Sequence, residues 1–322
     1  MPKINESIVL VGGGGGVYRV AKFLKHIRPN ITTVQTVFDH GGHSGELRDE
    51  RGVLPPGDIR QAIVALSDDN AEPALRRLMG YRFGEIGNSS LDRATVGNIL
   101  LTALAEIEGS LPLAINALCR LCGVRGKVLP VSLDDAELCA ELSDGTIVKG
   151  EGNIDTRSID DERSIARVFL DRTAHIFVGA YDALVGADKI VFCPGDIYTS
   201  LIPNLLVNGF VDAVKLSSAK LIYCVNIMTK KAETHGFTVT DFSRVVCEHL
   251  DGRKPDFTVF NIDPIDHKVA EVYAKEKSEP VILDYPDGAC EFAHKYISEH
   301  LVDCNRDFIR HHPRIASVIA DL

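Results

Sequence analysis

Residues 35–60 read QTVFDHGGHSGELRDERGVLPPGDIR. An apolar run ends at Asp39, glycine-containing turns follow, and a proline pair leads into a helix start at Asp58. A strand end of this kind is a place to build a site. Gly41, Gly42 and Gly45 let the backbone approach a ligand without Cβ interference, so successive N–H groups can line an anion-binding concavity into which Asp39 projects. An ordinary long loop rich in turn residues is the competing reading of the same stretch.

A second glycine loop tips the balance. VGGGGGV, residues 11–17, follows an apolar run directly and precedes the helix-like VYRVAKFLKHI. Strand, glycines and helix in that order present a helix N-terminus to a phosphate, which makes Gly13, Gly14, Gly15 and Gly16 candidate ligands through their N–H groups. A dinucleotide fingerprint counted from Gly12 and Gly14 finds Val17 where the third glycine belongs, and no Lys-Ser or Lys-Thr pair follows for a Walker A loop. Asp39 at the end of a second strand keeps a ribose-binding Rossmann reading open.

The chain has 322 residues, 45% of them hydrophobic, and no polar or low-complexity linker divides it; one α/β domain over residues 1–322 is expected. Thirty-five basic residues against forty-five acidic ones give a net charge of −10. That balance argues against nucleic-acid and anionic-membrane partners and makes any phosphate site a local exception. Without a signal-like or membrane-spanning apolar run, a cytoplasmic setting is expected. The 8 cysteines sit mostly in apolar segments and read as buried thiols. Cys119 and Cys122 form a lone C-x-x-C pair without the second pair that zinc needs, so no metal ligand is assigned.

Beyond the central loop, DIRQAIVAL and AEPALRRLM have helical spacing, with Asp58 placed either to cap the first or to meet a ligand. Asn98 lies within the amphipathic LDRATVGNILLTALAEIEG, aimed at the pocket or held at the core edge. VRGKVLPVS reads as a strand; AELCAELSD and GTIVKGE read as a hairpin through an Asp-Gly turn, bearing on Glu151 and Asn153, and IARVFLD as a further strand. This middle portion is expected to form an elaboration on the main sheet. From residue 183 the α/β rhythm resumes, with KIVFC, AKLIYCVN, FTVFN and PVILD as strands and FIRHHPRIASVIADL as a basic loop feeding a closing helix. Two of these strands end in polar loops: CPGDIYTS carries Gly195, Tyr198, Thr199 and Ser200, and NIMTKKAET carries Asn226, Thr229, Glu233 and Thr234. In a doubly wound sheet such loops share one edge, so four loops should converge on one crevice.

Together these motifs resemble the gluconeogenesis-factor family, the bacterial branch of a superfamily that also contains 2-phospho-L-lactate transferase. The family pattern GGGTGLS is similar to residues 12–16, TVADDGGSSGRLR to residues 36–48 and PPGDIRNCL to residues 55–64. VGNILLTAL, VRGKVLPVS, PGDIYTSLIPNLLV and NIMTKKAET extend the likeness over nearly the whole chain. The resemblance implies a Rossmann-like three-layer α/β sandwich with a mainly parallel sheet and a small hairpin or helical elaboration, in an oligomer that is commonly a homodimer. It also implies binding of a small phosphorylated metabolite or a UDP-sugar such as UDP-N-acetylglucosamine, in a regulator of central carbon metabolism and cell shape. The transferase branch instead moves a phospholactyl group onto a deazaflavin precursor with magnesium, which leaves catalysis open and magnesium as the one cofactor in view.

This chain departs from the family at Gly15 (threonine), His40 (aspartate), His43 (serine) and His312 (aspartate). Asp39 is retained as the catalytic or metal-ligand candidate, while His40, His43, Ser44 and His312 are expected to face phosphate, the histidines as imidazolium below their ordinary pKa.

Overall fold

The segment Ile8–Gly12 is an uninterrupted apolar run whose five residues are all buried, as expected of a central strand covered on both faces. In the computed structural model, which describes residues 5–69, 73–87, 89, 91–158, 160–284, 291–305 and 308–322, it is β1. The remaining strands are β2 (Ile31–Gln35), β3 (Lys127–Pro130), β4 (Leu138–Leu142), β5 (Ile147–Lys149), β6 (Ile165–Leu170), β7 (Lys189–Phe192), β8 (Lys220–Cys224), β9 (Phe257–Asn261), β10 (Lys295–Glu299), β11 (Val302–Asn305) and β12 (Phe308–His311).

Seven of them form one parallel sheet in the order β10-β9-β8-β7-β1-β2-β3. The chain moves one way from β1 to β3, then returns to the other side of β1 and moves on from β7 to β10. Helices on both sides of this sheet make the three-layer sandwich. The switch between β1 and β7 is where such a sheet opens a crevice at its carboxyl edge. β5, β4 and β6 make a separate antiparallel sheet, the expected elaboration. Among the described residues no helix is long and apolar enough to cross a membrane.

Three helices matter for the site: α1 (Gly14–Leu24), α2 (Gly42–Arg51) and α3 (Gly57–Leu66). α1 begins inside the glycine run, so Gly14, Gly15 and Gly16 are its first turn and not a loop leading to it.

The last third corrects two expectations. PVILD is not a strand: its described residues make only isolated bridges, Pro280 with Met228 and Ile282 with Thr238, and Ile282 is exposed. The seventh strand is instead KYISE, β10, which lies at the sheet edge, is only partly buried, and so lacks the apolar run that marks an interior strand. FIRH is likewise no loop but β12, paired antiparallel with β11.

Candidate ligand-binding crevice

At the switch point the loops after β1 and β7 touch. A Cβ on Gly16 would lie 1.5 Å from the Pro194 carbonyl oxygen, so only glycine permits this approach, and Gly14 has a φ of +56°. α1 has Gly13 as its N-cap and no side-chain bond from that cap, which leaves first-turn N–H groups beyond that of Gly14 to meet an anion. Beside it lies a cavity of about 500 Å³ lined by Gly15, Gly16, Arg19 and Lys22 of α1, Gly195, Asn226, and Ile309, Arg310 and His311 of β12, among others. The Asn226 amide accepts the Gly195 N–H and donates to the Gly195 carbonyl, each at 2.8 Å, which extends the β7–β8 pairing by one side chain and fixes the wall.

Asp39 lies at a neighbouring corner. Its Oδ1 accepts the Gly41 N–H at 2.7 Å. Glu151, on the short helix Glu151–Asp155, hydrogen-bonds Asp39; burial and then the Asp39 charge push its carboxyl up to about 8. Asp58 accepts the Gly14 N–H, and burial together with Asp39 pushes it up to about 7. It is therefore not the cap of α3, whose N-cap is Pro56 without a side-chain bond. The carboxylate instead braces the glycine loop, so close that a Cβ on Gly13 would meet Asp58 Oδ2 at 2.3 Å. Among the described residues the only trio of potential metal ligands within 4.8 Å of one another is elsewhere: Asp155, Asp196 and Glu233.

The histidine expectations need correction. His43 is buried in α2, its Nδ1 accepts the Thr95 N–H at 3.3 Å, and burial lowers its pKa; the ring is a neutral acceptor lining a separate cavity. His40 turns toward the elaboration, its Nε2 3.9 Å from Glu137. His312 is exposed and accepts the Arg314 N–H at the start of the last helix; its neighbour His311 is the one that lines the crevice. His311 Nε2 donates to the Val225 carbonyl at 3.0 Å, and burial lowers its pKa to about 4, so it too is neutral.

Several other candidates are occupied by the fold. Ser44 accepts from Asn98, whose Oδ1 accepts Arg60 Nε at 2.9 Å, so the amide is spent at the core edge. Tyr198, Thr199 and Ser200 lie in a π-helical turn, Ile197–Leu201. Glu233, buried, accepts the Tyr198 N–H at 3.0 Å and the Thr199 hydroxyl at 2.9 Å. The Tyr198 ring meets Phe237 edge-on, and burial pushes its hydroxyl up to about 12. Ser200 donates its N–H to the Asp196 carbonyl. Thr229 is engaged with Glu279 and Thr234 with the Lys230 N–H. Gly42, with a φ of +52°, opens α2. The crevice groups that the sequence did not single out as ligands are Arg19, Lys22, Arg310 and His311, while Glu151 was marked only as a residue on which the hairpin bears. For Arg19 and Lys22 a signal existed, since basic residues three apart just past a glycine turn share one helix face.

The family model for 2-phospho-L-lactate transferase CofD matches residues 8–302. A putative gluconeogenesis factor of Thermotoga maritima is 43% identical over 86% of this chain and 85% of its own length. The gluconeogenesis factor of Bacillus subtilis is 35% identical over 98% of this chain and 97% of its own. A crystallised protein of Bacillus halodurans superposes with a TM-score of 0.91 at 37% identity, covering 98% of this chain and 99% of that one.

Proposed function

The chain belongs to the CofD family, among relatives named gluconeogenesis factors, and on that premise we propose that it is a regulatory protein whose crevice binds a nucleotide sugar of the UDP-N-acetylglucosamine type. One observation carries the reading: Arg19, Lys22 and Arg310 converge on the cavity beside the N-terminus of α1 in a chain of net charge −10. A diphosphate is the group such a corner suits, because helix N–H groups and cations each stabilise its charge. The remaining wall, with Tyr18, Met228, Tyr273 and Ile309, offers apolar and aromatic surface to a nucleoside or sugar.

Isothermal calorimetry with UDP-N-acetylglucosamine, inorganic pyrophosphate and a nicotinamide dinucleotide tests it. Lys22, which makes no ion pair with a described residue, is expected to lower affinity about 5- to 30-fold as Lys22→Gln without loss of stability. Gly15→Ala sends its methyl into open space. It should raise stability by about 0.5–1 kcal/mol while weakening binding. Binding of the nicotinamide compound alone would sink the reading.

A transferase is the second reading, and the Asp39–Glu151 pair favours it. Two carboxyl groups sharing a proton beside a glycine loop suit a cation held jointly with ligand phosphates, the usual manner of magnesium. Asp39 and Glu151 would hold the ion, whose chemistry is to neutralise phosphate charge. Asp58, anchored by Gly14, would keep the loop in place. Magnesium affinity that falls as pH drops below about 8, where Glu151 takes up its proton, is the expected signature.

A further inference from the structure

One wall of the crevice comes from residues outside the 8–302 matched by the family model. Ile309, Arg310 and His311 of β12 line the cavity, and the hairpin β11–β12 holds them there. Its ties to the body are specific. The Ile309 N–H donates to the Tyr273 hydroxyl at 2.9 Å, and His311 Nε2 donates to the Val225 carbonyl at 3.0 Å.

The same hairpin grips a crevice arginine 292 positions earlier in the chain. Arg19 Nε donates to the His311 carbonyl at 2.6 Å, and its Nη2 is ion-paired with Asp303 of β11. Phe23 lies beneath the guanidinium, 4.8 Å from ring centroid to carbon. With Nε and one Nη2 hydrogen committed, the remaining Nη donors have no hydrogen-bond partner among the described residues. Asp303 is also the cross-strand partner of Arg310, which puts it opposite a second cavity arginine in the hairpin register. In an antiparallel pair such residues share a face with Cβ atoms about 5 Å apart.

We infer that Asp303 is a positioning residue: it holds Arg19 so that its guanidinium and that of Arg310 form a fork selective for a diphosphate over a monophosphate. This rests on the proposed anion-binding crevice and adds the residue that sets its selectivity. The role is one of hydrogen-bonded geometry and not of charge supplied to the ligand, because a carboxylate by itself repels phosphate. The isosteric Asp303→Asn therefore retains the fork, its amide oxygen accepting from Arg19, while Asp303→Ala lets the guanidinium swing.

The test is calorimetry of the full chain and both variants with inorganic pyrophosphate and orthophosphate, alongside the NMR signal of the Arg19 Nε–H. The parent should prefer pyrophosphate by about tenfold or more, Asp303→Asn should stay within about twofold of that ratio, and Asp303→Ala should lose most of it. Arg19 Nε–H exchange should be slow in the parent and Asp303→Asn and fast in Asp303→Ala. Tighter pyrophosphate binding by both variants would make Asp303 a competitor for Arg19 and overturn the inference, as would a ratio unchanged in Asp303→Ala. If Asp303→Ala does not fold, Asp303→Ser serves in its place with the same expectation. A parent that binds neither anion would defeat the crevice reading itself, while the exchange rates would still report whether Asp303 holds Arg19.

Discussion

Asp58 shows how a single carboxylate records the crowding of this site. Its folded pKa is about 7 against an ordinary 3.8. Between those values the folded chain keeps a proton that the unfolded chain has released, so its contribution to stability declines as pH rises from about 4 to about 7 and stays lost above. Asp58→Asn retains an oxygen for the Gly14 N–H without the charge. It should raise the melting temperature at pH 8, by an amount worth at most about 4 kcal/mol, and leave it nearly unchanged at pH 4. Urea denaturation at the two pH values checks this, and an equal effect at both would show that charge is not the cause. At this scale the placing of Asp39 beside the glycine turn was legible in sequence, because a carboxylate that ends an apolar run just ahead of Gly41 and Gly42 has little else to pack against. The histidines were not, since whether an imidazole is an acceptor inside a helix or a cation in a crevice depends on the neighbour that folding brings, here Thr95 for His43.

Among the elements, the short helix Glu151–Asp155 links the two acidic corners. Its first residue meets Asp39 and its last meets Lys230, an i, i+4 pair directed to different loops. Lys230 bridges Asp155, Asp196 at 2.7 Å and Glu233 at 3.6 Å. Burial, then the Glu233 charge, pushes Asp196 above the ordinary carboxylate range. Removing the ammonium as Lys230→Ala should cost about 1–3 kcal/mol, because three carboxylates then face one another without a cation. Their ligand atoms lie within 4.8 Å, so millimolar magnesium or calcium should restore the melting temperature of the variant and leave the parent unmoved. A variant indifferent to divalent cations would show that the trio relaxes apart. The Asp-Gly turn announced the β4–β5 hairpin, but no local pattern says that the helix after it will reach back to the strand-end loops.

At the scale of the molecule, burial falls from the centre of the sheet to its edge. Ile8, Val9, Leu10 and Val11 of β1 are each 0% exposed, whereas no residue of β10 is fully buried. Amide exchange should accordingly be slowest in β1 and β7, opening only with global unfolding, and faster in β10 by several orders of magnitude. Equal protection across the sheet would mean that the edge is covered in solution by something beyond the chain itself. The same gradient explains which strands could be read beforehand. Interior parallel strands are apolar on both faces and stand out, so β1, β7, β8 and β9 were plain, while a half-solvated edge strand such as KYISE looks like any polar segment.

By itself the sequence determined the α/β alternation, the strand ends at which loops turn into sites, and the family, because apolar periodicity and glycine placement are local properties written along the chain. Only the tertiary structure decided which side chains face the crevice. β1 and β7 pair Leu10 with Val191, a separation along the chain that no local pattern encodes; their adjacency comes from where the chain reverses its progress across the sheet. The crevice arginines followed the same rule. Arg19 and Arg310 meet because a C-terminal hairpin docks beside α1, and long-range packing, not residue preference, places them together.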